Sequence, residues 1–230
     1  MKIGVIIPVK KFSNSKNRLS SVLTLEEKKE LVRCMLFDVC DVLIKSSYLN
    51  EIAIVTSENE ILQYENYDKI IHLRESHNSG VNNAVEIGNQ YFMKEGFDAT
   101  IIIPGDIPLI DNQVLDKLFG QVKKNQVIIT PSRREDGTNL LFRNPPDIIQ
   151  TSYDSNSYFT HLKMIKDNNL QYSIYLEDQA NQELFIKARM LFRPFKPQML
   201  NQFHPEAHSY LSLIHISEPT RPERSADAGV

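Results

Sequence analysis

Three consecutive isoleucines, Ile101-Ile102-Ile103, run straight into Pro104-Gly105-Asp106-Ile107-Pro108. A continuous β-branched run without polar alternation is the pattern of a strand covered on both faces, which is how parallel strands lie in α/β proteins. Pro104 and Gly105 stop such a strand, so Asp106 falls at its carboxyl end, the edge where open α/β sheets bind ligands. A carboxylate there, followed by the stiff Ile107-Pro108 pair, can hold a divalent cation on a substrate phosphate. The same residues also make an ordinary surface turn before a helix. The rest of the chain has to separate these readings.

Short β-branched segments recur along the chain: Lys2 to Ile7 (ended by Pro8), Ile52 to Thr56, Lys69 to Leu73, Ala99 to Ile103, Val127 to Thr130, Thr138 to Phe142 and Gln171 to Tyr175. Helical periodicity fills the gaps between them. Thr24 and Glu27 have capping-box spacing, and Val32, Met35, Leu36, Val39 and Leu43 then form one core-facing stripe. Ser79-Gly80 precedes a stripe of Val81, Ala84, Val85, Gly88 and Phe92, and further helices are expected over 111–123 and 155–167. Asp136-Gly137 is a turn signal between two strands. Strands alternating with helices predict an α/β fold: a mostly parallel, mixed sheet with helices on both faces, Rossmann-like in outline.

With 230 residues, 41% of them hydrophobic and 24% charged, the chain is long enough for a substantial core. A net charge of −3 carries no global basic field, so neither nucleic acid nor an anionic membrane is an expected partner. Cys34 and Cys40 share one predicted helix at a spacing unlike a metal or redox pair. With no signal-peptide pattern and no long apolar run, the expected location is the cytoplasm. After about residue 178 the periodicities stop. The stretch from Ser212 to Pro222 resembles a translated sequencing-library adapter, so 1–178 is expected to be the functional domain and 179–230 a tail outside it.

The loop after the first strand, Val9 to Ser21, is small and polar and holds Lys10, Lys16 and Arg18. Small residues let backbone amides approach phosphate, and the cations can neutralise it. It lacks the glycine spacing of a Walker or dinucleotide-binding loop. Taken in order, Pro8-Val9-Lys10, Lys16-Asn17-Arg18-Leu19-Ser20, Gly80-Val81-Asn82-Asn83-Ala84, Pro104-Gly105-Asp106, Asp136-Gly137-Thr138-Asn139 and Ser155-Asn156-Ser157 resemble the 2-phospho-L-lactate guanylyltransferase family over about residues 1–175.

That resemblance implies a nucleotidyltransferase fold of the sugar-phosphate-activating type. It also implies transfer of GMP from GTP to 2-phospho-L-lactate, or to phosphoenolpyruvate, with loss of pyrophosphate, in biosynthesis of the deazaflavin coenzyme F-420. Magnesium is the implied cofactor, small molecules are the partners, and a homodimer is the family expectation. Residue by residue, Lys10, Lys16 and Arg18 are implied to hold the triphosphate, with Lys16 catalytic. Asn82 is implied to contact the nucleotide, and Asp106 to bind the metal and act in catalysis. Thr138, Asn139 and Ser157 are implied to line the pocket of the acid. Structural roles are open to the same residues: Asn82 as a helix cap, Thr138-Asn139 as a hairpin closure and Ser157 as an N-cap. His77 and His161 read as ordinary surface or core histidines.

Two departures from the family stand out. Tyr153-Asp154 replaces an aromatic–glycine pair, and Glu177-Asp178 lacks the alternation of the family's C-terminal metal-binding aspartates. The alternatives are a sugar-phosphate or molybdopterin nucleotidyltransferase, and a non-catalytic nucleotide-binding domain lacking its second metal site.

Overall fold

The computed structural model describes residues 1–11, 23–62, 68–76, 80–107, 112–120, 122–132 and 135–175. All of them belong to a compact unit, Met1–Glu183. In chain order the elements are β1 (Ile3–Val9), α1 (Leu25–Lys45), β2 (Glu51–Thr56), α2 (Asn59–Leu62), β3 (Ile70–Arg74), α3 (Val81–Lys94), β4 (Ala99–Ile102), α4 (Asn112–Phe119), β5 (Gln126–Pro131), β6 (Thr138–Asn144), α5 (Ser157–Asp167) and β7 (Gln171–Ile174).

The strands form a seven-stranded sheet in the order β3-β2-β1-β4-β6-β5-β7. β6 runs against its neighbours β4 and β5, and the other pairings are parallel. The expected mostly parallel mixed sheet is therefore present. The isoleucine run sits at its centre: Ile101, Ile102 and Ile103 have no solvent exposure. Alternation along the strands sends Ile7, Ile54, Ile101 and Phe142 to one face, under Leu36 and Leu43 of α1 and Leu115 and Leu118 of α4. Ile6, Val55, Ile102 and Leu141 face the other way, under Ala84, Val85 and Phe92 of α3 and Tyr158 and Ile165 of α5.

Two glycines set how closely α3 lies on the sheet. A Cβ on Gly4 of β1 would stand 2.5 Å from the Phe92 ring, and one on Gly88 of α3 would stand 2.8 Å from Ile6. At the start of α1, the capping box forms as its spacing predicts. Thr24 N–H donates to Glu27 Oε2 at 2.8 Å and Glu27 N–H to Thr24 Oγ1 at 3.3 Å. These bonds hold the Glu27 carboxyl below its ordinary range.

Several expected boundaries move. Pro8 does not end the first strand, which continues through Val9 in register with Thr56. Ile6 C=O accepts from Ile103 N–H, so even-numbered residues of β1 point towards β4. β4 pairs only as far as Ile6↔Ile102, so the donor that Pro8 lacks falls beyond the last pair. Gly120 follows the end of α4 at Phe119, short of the expected Lys123. α5 starts at Ser157 rather than Ser155 because Asn156 is left-handed, with φ 54°. The single turn of α2 was not expected from the sequence. Among the described residues no helix is long and apolar enough to cross a membrane.

Candidate active site at the carboxyl edge of the sheet

One edge of the sheet gathers the carboxyl ends of β1, β2, β3, β4 and β5 and, because β6 is reversed, the start of β6. The amino ends of α3 and α5 reach the same edge through Gly80 and Asn156. Lys10 follows the last residue of β1 and is exposed. Beside it, Val9, Glu75, Gly80 and Val81 help to line a shallow, open recess. Gly80 has φ 98°, a conformation available to glycine without strain, and this lets the chain turn directly into α3. Asp106 stands in the turn after β4 and is exposed. Lys16 and Arg18 lie outside the described residues, as do Glu177, Asp178 and His77.

Asn82, in the first turn of α3, is held by the segment leading into α5. Tyr153 N–H donates to its Oδ1 at 2.7 Å, and its Nδ2 donates to Asp154 Oδ2 at 3.2 Å. The carboxylate that replaces the expected glycine is therefore tied to an amide. Each polar atom of Asn82 keeps capacity for one further bond.

The β5–β6 turn expected at Asp136-Gly137 is built on Ser132. Its hydroxyl donates to Asp136 Oδ1 at 2.9 Å and accepts from Gly137 N–H at 2.9 Å. Beyond the turn the register slips: Thr130 faces Leu140 and Pro131 faces Thr138, so Asn139 is left without a cross-strand partner. A bulge of this kind puts two successive side chains on one face, which a regular strand cannot do. Thr138 thus reaches α5, while Asn139 stays in phase with Leu141 and Arg143.

Thr138 and Ser157 are joined there. Ser157 Oγ–H donates to Thr138 Oγ1 at 3.2 Å, and both residues are buried. His161, one turn further along α5, has no solvent exposure and lies with its Nδ1 3.0 Å from Thr138 Oγ1. Its Nε2 accepts from Ser152 N–H at 2.9 Å. Burial, followed by the nearby Arg143 charge, lowers its pKa to about 4. The sequence offered no sign of this role, because a single histidine on a helix stripe is most often simply packed.

Arg143, on β6, was also missed. It is 2% exposed and donates to Asn89 Oδ1 at 2.8 Å, Thr100 Oγ1 at 3.2 Å and the Ile149 carbonyl at 3.1 Å. Burial lowers its pKa only to about 10, so a full positive charge lies buried where β4 and β5 begin, towards the edge of the sheet opposite the candidate site. Among the described residues no group of three or more His, Cys, Asp or Glu side chains converges as a metal site. Asp106 is a single hard oxygen donor, which suits a magnesium ion that takes its other ligands from phosphate and water. Burial pushes the Cys34 and Cys40 thiols up to about 11 and about 12, so neither is a thiolate at neutral pH.

Among solved structures, the chain is similar to a protein of Desulfovibrio desulfuricans G20 described as a nucleotide-diphospho-sugar transferase. The TM-score is 0.63 at 15% identity, over 76% of this chain and 80% of that one. A nucleotidyl transferase from Methanothermobacter thermautotrophicus aligns at TM-score 0.58 and 12% identity, over 77% and 88% of the two chains. At these identities the likeness shows the fold alone, a nucleotidyltransferase fold of Rossmann-like form. Sequence relatives are nearer. A 2-phospho-L-lactate guanylyltransferase of Methanocaldococcus jannaschii is 38% identical over 176 residues, 76% of this chain and 75% of the relative. One of Methanobrevibacter smithii is 35% identical over 170 residues, 74% of each. The family model for guanylyl transferase CofC-like proteins matches residues 3–179, which takes in every strand and helix described above. The chain belongs to the guanylyl transferase CofC-like family.

Proposed function

We propose that this protein transfers GMP from GTP to 2-phospho-L-lactate and releases pyrophosphate. The observation that carries this reading is the 38% identity over 176 residues, 76% of this chain, to a relative named for that activity. A phosphate oxygen of the acid attacks the α-phosphorus of GTP, the bond from that phosphorus to the β-phosphate bridge breaks, and a diphosphate link forms. No general base is needed, because the attacking phosphate is already an anion at neutral pH. The protein's task is to bring two anions together in line and offset their charge.

In this reading Lys10, Lys16 and Arg18 meet the triphosphate, with Lys16 acting in catalysis. Asn82 uses its remaining hydrogen-bonding capacity on the nucleotide. Asp106 holds magnesium, which when bound supplies positive charge against the phosphate oxygens. Thr138, Asn139 and Ser157 receive the phosphorylated acid, and residues 1–178 form the transferase domain. The bulge at Asn139, the single hard carboxylate at Asp106 and the family match over 3–179 support these assignments.

The test is pyrophosphate release with magnesium. GTP, ATP and CTP are each paired with 2-phospho-L-lactate, phosphoenolpyruvate and a sugar 1-phosphate. Turnover with GTP and 2-phospho-L-lactate, reduced at least 100-fold in Asp106→Ala, is expected. A preference for a sugar phosphate or another nucleotide would overturn the reading.

A further inference from the structure

We infer that His161 is a positioning residue that makes the Thr138–Ser157 hydroxyl pair a hydrogen-bond donor to the anionic acid. The inference rests on the function proposed above, which puts that acid at these hydroxyls.

The argument is a count of hydrogens. Ser152 N–H is a backbone donor and cannot accept, so the Nε2 it faces at 2.9 Å must carry a lone pair. A neutral imidazole with a bare Nε2 carries its proton on Nδ1, and Nδ1 stands 3.0 Å from Thr138 Oγ1. Thr138 Oγ1 therefore accepts from His161. The two hydroxyls together own two hydrogens, and their 3.2 Å contact uses one of them. One hydroxyl hydrogen is left over, and no further acceptor for it occurs among the described residues. If Ser157 is the donor between them, the spare hydrogen is on Thr138. Reversing that bond moves it to Ser157 and does not remove it.

The other tautomer gives the opposite result. With Nδ1 bare, Thr138 would donate to His161 and Ser157 to Thr138, leaving only lone pairs for the substrate. Such a pair repels a phosphate or carboxylate. A single backbone N–H at Ser152 thus fixes the sign of the site through the ring. Burial assists by holding His161 neutral at physiological pH, so the tautomer does not average with the cation. The element placing Ser152 is the same segment that Asn82 clasps through Tyr153 N–H, which keeps the donor in position.

The test has a readout on the wild-type protein and one on variants. Nitrogen-15 NMR of the histidine ring is expected to show an Nδ1–H tautomer for His161 across pH 6 to 8; an Nε2–H tautomer overturns the inference. Calorimetric binding of 2-phospho-L-lactate is then measured with magnesium and α,β-methylene-GTP, which cannot undergo the attack. His161→Asn carries an amide where Nδ1 was and is expected to bind within about threefold of wild type. His161→Gln keeps an acceptor for Ser152 but releases Thr138, and is expected to bind about tenfold more weakly, with the affinity for the GTP analogue unchanged. Equal affinities in all three proteins, or equal losses in both variants, refute the inference. Wild type that binds the acid with this ranking yet gives no turnover with GTP leaves the role of His161 standing and removes the proposed function instead.

Discussion

His161 also reports on the fold itself. An unfolded imidazole takes up its proton near pH 6.5, whereas the folded one does so only near pH 4. Between those values the unfolded state binds more protons, so stability rises with pH across the window and is lost as pH falls from 6.5 towards 4. The loss approaches about 1.4 kcal/mol per pH unit over the acid part of that window. Chemical denaturation at pH 7.0 and pH 5.0 is expected to show it in wild type and not in His161→Asn, whose amide does not titrate there. The Glu27 carboxyl is shifted in the same sense, but from a lower starting value of 4.5. It therefore adds its own loss mainly below pH 5, and the difference between the two proteins isolates the histidine. Parallel pH curves for the two would show that His161 is not held neutral by burial.

Among the elements, α3 and α5 carry the site because their amino ends are set by backbone features rather than by side-chain caps. Gly4 and Gly88 let α3 approach β1 closely, and the ring that Gly4 admits, Phe92, is fully buried and stands 4.6 Å from the Phe97 ring. Gly4→Ala forces that ring to move, at a cost of about 2 kcal/mol, or a Tm lowered by roughly 4 to 8 °C. Because Asn82 rides on α3, the same variant is expected to raise KM for GTP more than KM for the acid. At α5 the critical residue is Asn156, held at φ 54°. Asparagine and glycine tolerate that conformation and a β-branched residue does not. Asn156→Gly is expected to be near neutral. Asn156→Val is expected to cost about 1 to 2 kcal/mol and to raise KM for the acid as Ser157 shifts. Thermal melts and paired KM values decide both cases, and an unchanged Asn156→Val protein would show that the left-handed turn does not set the start of α5.

For the molecule as a whole, the sheet was legible because β1, β2, β4 and β5 are rich in β-branched residues and buried on both faces. The edge proposed to carry the site is the one to which Ile101-Ile102-Ile103, running into Pro104-Gly105-Asp106, points. What stayed hidden depends on contacts between residues far apart in sequence. Pro8 remains in β1 only because β4 stops two residues sooner, which local propensity does not encode. The bulge at Asn139 comes from pairing with β5, and the hydrogen-bonded group of Thr138, Ser152, Ser157 and His161 draws on a strand, a loop and a helix. Residues 179–230 are the remaining question at this scale. The described sheet ends with β7 at Ile174, and the family match ends at residue 179. If the fold's cooperative unit is that sheet with its helices, a chain ending at Asp178 keeps the full-length melting temperature within about 2 °C, no more than the shift that about 1 kcal/mol produces. A drop of 10 °C or more would mean that segments beyond Asp178 contribute to the folded core. Turnover by the shortened chain, measured beside the melt, separates a further claim: activity equal to that of the full chain places every required metal ligand at or before Asp178, with Asp106 as the first to test.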